Sequence, residues 1–152
     1  MINFIKKNSL YLAWTGALIA MMGSLYFSEI AHFPPCVLCW YQRILMYPLV
    51  VILGFAIYKK SRDLILPAFV LAGIGWLISI YHNLLYYKIL PEAAAPCIAG
   101  VSCTTKFIEW FGFVTIPFLA FLGFTGILIL LIIYWKATAT QSAAAPSQIK
   151  EN

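Results

Sequence analysis

The sequence predicts an all-α membrane protein: a bundle of four transmembrane helices with both termini in the cytoplasm. Three observations carry that prediction. Hydrophobic residues make up 63% of the chain and charged residues 10%, more apolar surface than a water-soluble domain can cover. Charged side chains are absent from residues 8–28, 64–87 and 110–135, and from a shorter fourth run, 44–58. The ten basic residues divide unequally between the two sides of these runs.

Each run is justified by length. About 20 apolar residues cross a hydrocarbon core of about 30 Å at about 1.5 Å per residue, and a helix satisfies its own backbone without water. Residues 8–28 follow Lys6 and Lys7 as a signal peptide would, but the run is longer than a signal core and lacks a convincing small-residue cleavage site. It is expected to remain as the first helix. Residues 44–58 reach only about 22 Å, so the second helix must begin earlier, near Pro35 and Cys36. Residues 64–87 and 110–135 supply the third and fourth.

Charge sets the expected orientation. Lys6, Lys7, Lys59, Lys60, Arg62, Lys136 and Lys150 fall on one side, and Arg43, Lys88 and Lys106 on the other. The positive-inside rule places the first group in the cytoplasm. This accounts for the net charge of +5 without a nucleic-acid partner. The connections 29–36 and 88–109 then face outward, and all four cysteines, Cys36, Cys39, Cys97 and Cys103, fall on that outer side. On a bacterial cell membrane that side is oxidising and permits disulfides. Tyr11, Trp14, Tyr58, Tyr134 and Trp135 mark one interface, and Trp40, Tyr41, Tyr86, Tyr87 and Trp110 the other. The segment KFIEWFGF (106–113) is suited to lie along the outer interface. Residues 1–135 form one transmembrane domain. Residues 136–152, nearly free of large apolar side chains, are expected to be a disordered cytoplasmic tail.

The most informative stretch is PPCVLCWYQR (34–43), where two thiols and a cation meet the threshold of a spanning helix. Proline suits the first helical position, because its missing N–H would be unpaired there. Cys36 then lies in the first turn, where the helix dipole and free N–H groups favour a thiolate. Cys36, Cys39 and Arg43 stand at i, i+3 and i+7 and share a face. A cation near the bilayer usually has a partner or a task, stabilising a Cys39 thiolate or attracting a carbonyl oxygen; snorkelling to lipid phosphate is the simple alternative. The second pair, Cys97 and Cys103 in PCIAGVSC, can close a small ring across Gly100. A structural staple is its plain reading, and a disulfide within a partner's reach is the other.

Other uses of four cysteines fit less well. Zinc pairs favour two to four intervening residues, and Cys97 and Cys103 have five. Trp40 rather than histidine follows Cys39, which excludes haem attachment, and there is no glycine-rich dinucleotide fingerprint for flavin or nicotinamide. Two outward-facing pairs beside lipid read best as an electron relay, with neither metal nor flavin expected.

CVLCWYQR followed by an apolar helix, with a later cysteine pair in the second outer loop, resembles the DsbB family of membrane disulfide-forming proteins. The length and the close second pair are most similar to its short-loop, BdbC-type members. The resemblance implies a thiol:quinone oxidoreductase that reoxidises an extracytoplasmic thioredoxin-fold thiol oxidase, DsbA- or BdbD-like. Electrons would pass to the membrane quinone pool, menaquinone or ubiquinone, in support of disulfide formation in secreted proteins. It further implies that Cys97 forms the mixed disulfide with the partner. Cys103 then attacks Cys36, and Cys39 is left as a thiolate against the quinone with Arg43 beside the ring. His82, about 9 Å in from Lys88 by helical rise, is a candidate quinone contact or proton relay. Two alternatives stand beside this reading. A vitamin K epoxide reductase-like enzyme would share the bundle, but there the Cys-x-x-Cys follows the loop pair. A non-enzymatic scaffold stapled by disulfides or zinc would ignore quinone supply.

Overall fold

A computed structural model describes residues 2–91 and 115–144. Four helices run in order through them: α1 (Ile2–Leu25), α2 (Val37–Lys59), α3 (Ile65–Tyr86) and α4 (Ile116–Ala144). Among the described residues there is no strand. Each helix, α1 together with the turn that continues it to Ile30, carries a segment long and apolar enough to cross a membrane: Asn8–Ile30, Val37–Lys59, Ile65–Tyr86 and Ile116–Thr138. The helices pack in a square, α1 and α3 each against α2 and α4, so neighbours in sequence are neighbours in space.

Small residues explain how closely the helices approach. Ala13, Ala17, Ala56, Ala68 and Ala72 are fully buried between them, as expected where lipid supplies no hydrophobic force and packing must hold the bundle. Leu49, Leu53, Phe124 and Leu131 fill the spaces between these contacts. Trp76 on α3 donates its indole N–H to Thr125 Oγ1 on α4 at 3.0 Å. Asn83 donates to Ser79 O within α3 and to Pro117 O at the start of α4, a bond that occupies its amide between helices. The bulky apolar residues left over, such as Ile44, Leu66, Leu77 and Ile129, face outward.

The ends of the helices carry the information about the site. The tight connection at 59–63 is present: Lys60 caps α2 in the left-handed region at φ 50°, and Ser61 Oγ bonds Asp63. At the opposite end α1 widens into a π-helical turn, Tyr26–Ile30, closed by Ala31 N–H to Tyr26 O at 3.0 Å. His32 turns the chain at φ 54°, Phe33 N–H bonds Phe27 O, and the Phe27 and Phe33 rings stack. The chain then enters α2 through Pro34, Pro35 and Cys36.

Two expectations are corrected here. Helix α2 starts at Val37 with Cys36 as its N-cap, extended at ψ 170°, so Pro35 stands before the helix rather than at its first position. The reason is that the Cys36 sulfur accepts from Cys39 N–H at 3.4 Å, the bond a capping side chain makes to a free helical donor. Helix α4 continues through residues 136–144, which were expected to be disordered. Alanine, lysine and glutamine in that stretch are good helix formers and extend a helix already nucleated in the bundle. Residues 145–152, the segment KFIEWFGF, Trp110, Cys97 and Cys103 lie outside the described residues.

Candidate functional site

The N-cap of α2 brings the first two thiols together. Cys36 Sγ and Cys39 Sγ are 2.9 Å apart. Capping turns the Cys36 side chain back over the first turn, and the i+3 spacing sets Cys39 beneath it. From α3, His82 Nε2 lies 3.7 Å from Cys36 Sγ, with the imidazole 1% exposed. The hydrogen bond from the Cys39 thiol holds the Cys36 thiol well below its usual range, and His82 adds to that against the cost of burial. Cys36 is thus the sulfur on which negative charge settles.

Cys36, Cys39 and His82 place their ligand atoms within 4.8 Å of one another and are of the types that hold zinc. Two thiolates on a tetrahedral zinc stand about 3.8 Å apart, given Zn–S bonds of about 2.3 Å. The observed 2.9 Å is shorter than that, about midway to the ~2.05 Å of a disulfide. The geometry suits the making and breaking of a sulfur–sulfur bond.

Beside the thiols lies a cavity of about 400 Å³, within the range of small-molecule sites. All four helices contribute to it. Its walls are mostly apolar: Phe27 and Phe33 from the turn after α1, Met46 from α2, Phe124 and Ile116 from α4. The space exists because the helices present small residues there. Gly16, Ala20 and Gly23 stand at i, i+4 and i+7 on α1, with Ala120 and Gly123 on α4. A Cβ on Gly16 or Gly23 would meet nothing within 4 Å. Two lining residues, Ile19 of α1 and Leu119 of α4, are themselves 66% and 42% exposed. Both border the cavity and also present part of their surface to the outside of the bundle.

Its polar groups are few. Arg43 lines it, donating Nε to Ser24 Oγ at 2.9 Å and Nη2 to Ser24 O at 2.8 Å, with its guanidinium 5.5 Å from the Trp40 ring centre. A partner on α1 thus holds this cation. Gln42, Tyr47, His82 and Tyr86 complete the lining. Of the residues singled out in the sequence, the structure gathers Cys36, Cys39, Arg43 and His82 around one cavity.

The sequence reading missed three contributors. Ser24 had no signal, since a serine in a spanning helix is common. Gln42 had one, because it is a polar residue three positions after Cys39 on the same helix. Tyr86, expected at the interface, is 7% exposed; it follows His82 at i+4 and so shares its inward face.

Comparisons with known proteins give the family of the chain. The model of the family described as "Disulfide bond formation protein DsbB" matches residues 6–135. The chain belongs to the DsbB family. It is similar to "Disulfide bond formation protein C" of Bacillus subtilis (strain 168), 53% identical over 123 residues that cover 79% of this chain and 87% of that protein. It is likewise similar to "Probable disulfide formation protein C 1" of Bacillus anthracis, 50% identical over 119 residues covering 78% and 86%. A "Probable disulfide formation protein" of Oceanobacillus iheyensis is 45% identical over 125 residues covering 82% and 86%. No solved structure matches. As a DsbB-family chain with four membrane-crossing helices, it is a multi-pass membrane protein of disulfide formation.

Proposed function

We propose that this DsbB-family protein is a thiol:quinone oxidoreductase that reoxidises a thioredoxin-fold thiol oxidase outside the cytoplasm. The observation that carries the reading is the Cys36–Cys39 pair opening on an apolar cavity that also contains Arg43 and His82. Its about 400 Å³, aromatic walls and few polar groups fit a quinone ring. Arg43, fixed by Ser24, and His82 are the residues that would hold it. Both termini face the cytoplasm in this reading, and the thiols face the oxidising side.

The electron route follows from thiol exchange. A thiolate of the partner attacks the Cys97–Cys103 disulfide at Cys97 and releases Cys103 as a thiolate. The partner's second thiolate displaces Cys97 and leaves the partner oxidised. Cys103 attacks Cys36, and Cys39 departs as a thiolate at the cavity wall. Cys97 then displaces Cys36, restoring the loop disulfide and leaving Cys36 and Cys39 reduced. Quinone, when bound, takes up two electrons and two protons and leaves as quinol, and the Cys36–Cys39 bond closes again. The hydrogen bond between Cys39 and Cys36, with His82 beside it, keeps one sulfur of the reduced pair ionised near neutral pH. Arg43 supplies positive charge where negative charge builds on a ring oxygen.

The test is the thiol state of all four cysteines in living cells, by acid quench and alkylation, with and without quinone synthesis. Thiols that accumulate on quinone depletion support the relay, and Cys39→Ala should then leave the partner reduced even with quinone present. Cysteines indifferent to quinone would sink it.

A further inference from the structure

The relay uses the thiols, His82 and Arg43, and gives Gln42 no task. Gln42 is 8% exposed, and among the described residues its side-chain Nε2 has no hydrogen-bond partner. A buried donor without a partner costs about as much as a lost hydrogen bond, so native structures keep few of them. Lipid has nothing to offer such a donor at this depth. Gln42 lines the cavity next to Arg43 and one turn below Cys39. Arg43, the donor that charge alone would nominate, already directs two of its nitrogens at Ser24. Tyr47 brings a second buried and, among the described residues, unpartnered group, its hydroxyl, to the same cavity.

Building on the thiol:quinone reading, we propose that Gln42 is a ligand-binding residue whose carboxamide hydrogen-bonds a ring oxygen of the quinone in this cavity. A carboxamide carries both a donor and an acceptor, whereas a guanidinium only donates. The amide NH₂ donates to a quinone carbonyl; rotated about its last side-chain bond, the amide oxygen accepts from a quinol hydroxyl. Gln42 therefore holds the ring in both redox states, and Arg43 favours the state with more negative charge on oxygen. The group that costs stability in the empty cavity becomes satisfied when the ring arrives.

That trade is what the experiment reads. The full-length protein is purified in detergent, stripped of quinone, and unfolded thermally with and without two short-tailed probes, menadione and ubiquinone-1. Dissociation constants come from the shift with probe concentration, and KM and kcat from turnover with dithiothreitol as thiol donor. Gln42→Met, which keeps the length and removes the amide, should unfold at the same or a higher temperature without quinone. It should bind the probe roughly three- to tenfold more weakly, the worth of one neutral hydrogen bond, with KM raised more than kcat is lowered. A lower unfolding temperature without quinone would mean that Gln42 holds the fold, and an unchanged dissociation constant that it does not touch the ligand; either overturns the proposal. Should Gln42→Met fail to fold, Gln42→Leu is read by the same criteria. If the wild type gains no stability from either probe, the quinone reading itself falls, a result distinct from a wild type that responds alongside an unaffected variant.

Discussion

A Cβ placed on Gly75 of α3 would lie 2.3 Å from Cε1 and 2.4 Å from Cζ of Phe124 on α4. Phe124 is fully buried and also lines the cavity, so the two residues join helix packing to the shape of the site. In Gly75→Ala the ring must retreat by about 1.2 Å to reach the shortest ordinary carbon–carbon separation of about 3.5 Å. Overpacking of this kind costs about 1–3 kcal/mol. For a chain of this size that lowers the thermal midpoint by about 2–4 °C per kcal/mol. The cavity is the open space beside the ring, so Phe124 should move into it and quinone affinity should fall together with stability. The assay is thermal unfolding in detergent with and without a short-tailed quinone, for Gly75→Ala and for Gly75→Ala/Phe124→Leu. The smaller leucine should restore part of both losses. A Gly75→Ala protein as stable as the wild type, with unchanged quinone affinity, would refute the claim that this contact sets the cavity wall.

Other outcomes follow from the same geometry. Gly23→Leu places a side chain where a Cβ meets open space; it should leave folding intact and weaken quinone binding at least tenfold, read as a lost thermal shift. Ser24→Ala removes the acceptor for Arg43 Nε but leaves the carbonyl bonded to Nη2. Turnover should fall by less than in Arg43→Lys, where the planar fork itself is gone. In a Cys97→Ala/Cys103→Ala protein, reduced, the thiolate absorbance of Cys36 should persist down to about pH 4. A depressed thiol stabilises the folded state fully above its unfolded value of about 8.5 and loses that contribution as pH falls through the folded value. His82→Leu should move the midpoint upward, because the imidazole is one of the groups that lower it; an unmoved midpoint would remove His82 from the thiol's electrostatics.

The four helices were legible because a membrane span is written in composition and length, neither of which depends on neighbours. The shared face of Cys36, Cys39 and Arg43 was legible for the same kind of reason, since helical spacing is local. What spacing could not supply was the start of α2. Pro35 and Cys36 compete for the role of helix opener, and a sulfur hydrogen bond decides between them. The cavity was illegible. Gly16, Ala20 and Gly23 form a small-residue stripe, but whether such a stripe admits another helix or leaves a gap depends on what stands opposite. Here Ala120 and Gly123 stand opposite, and the gap remains. Gln42 reads as an ordinary polar residue until its burial beside that gap is known. In residues 136–144 alanine's helix propensity carries α4 past the last large apolar residues, which polarity alone did not signal.

Ile19 and Leu119 are at once cavity wall and outer surface. Under the proposed function, the flank of the bundle beside these two residues is the way from the bilayer into the cavity, and the Cys36 N-cap lies toward the outer aqueous face. Under the proposed function the two substrates use separate entrances, one from the water and one sideways from the lipid. Neither has to leave before the other arrives. Steady-state kinetics should then show no competition between thiol donor and quinone at high concentrations of either. The encounter with quinone is also confined to two dimensions, where supply is set by the density of quinone in the membrane and by how fast it diffuses there, rather than by its negligible solubility in water.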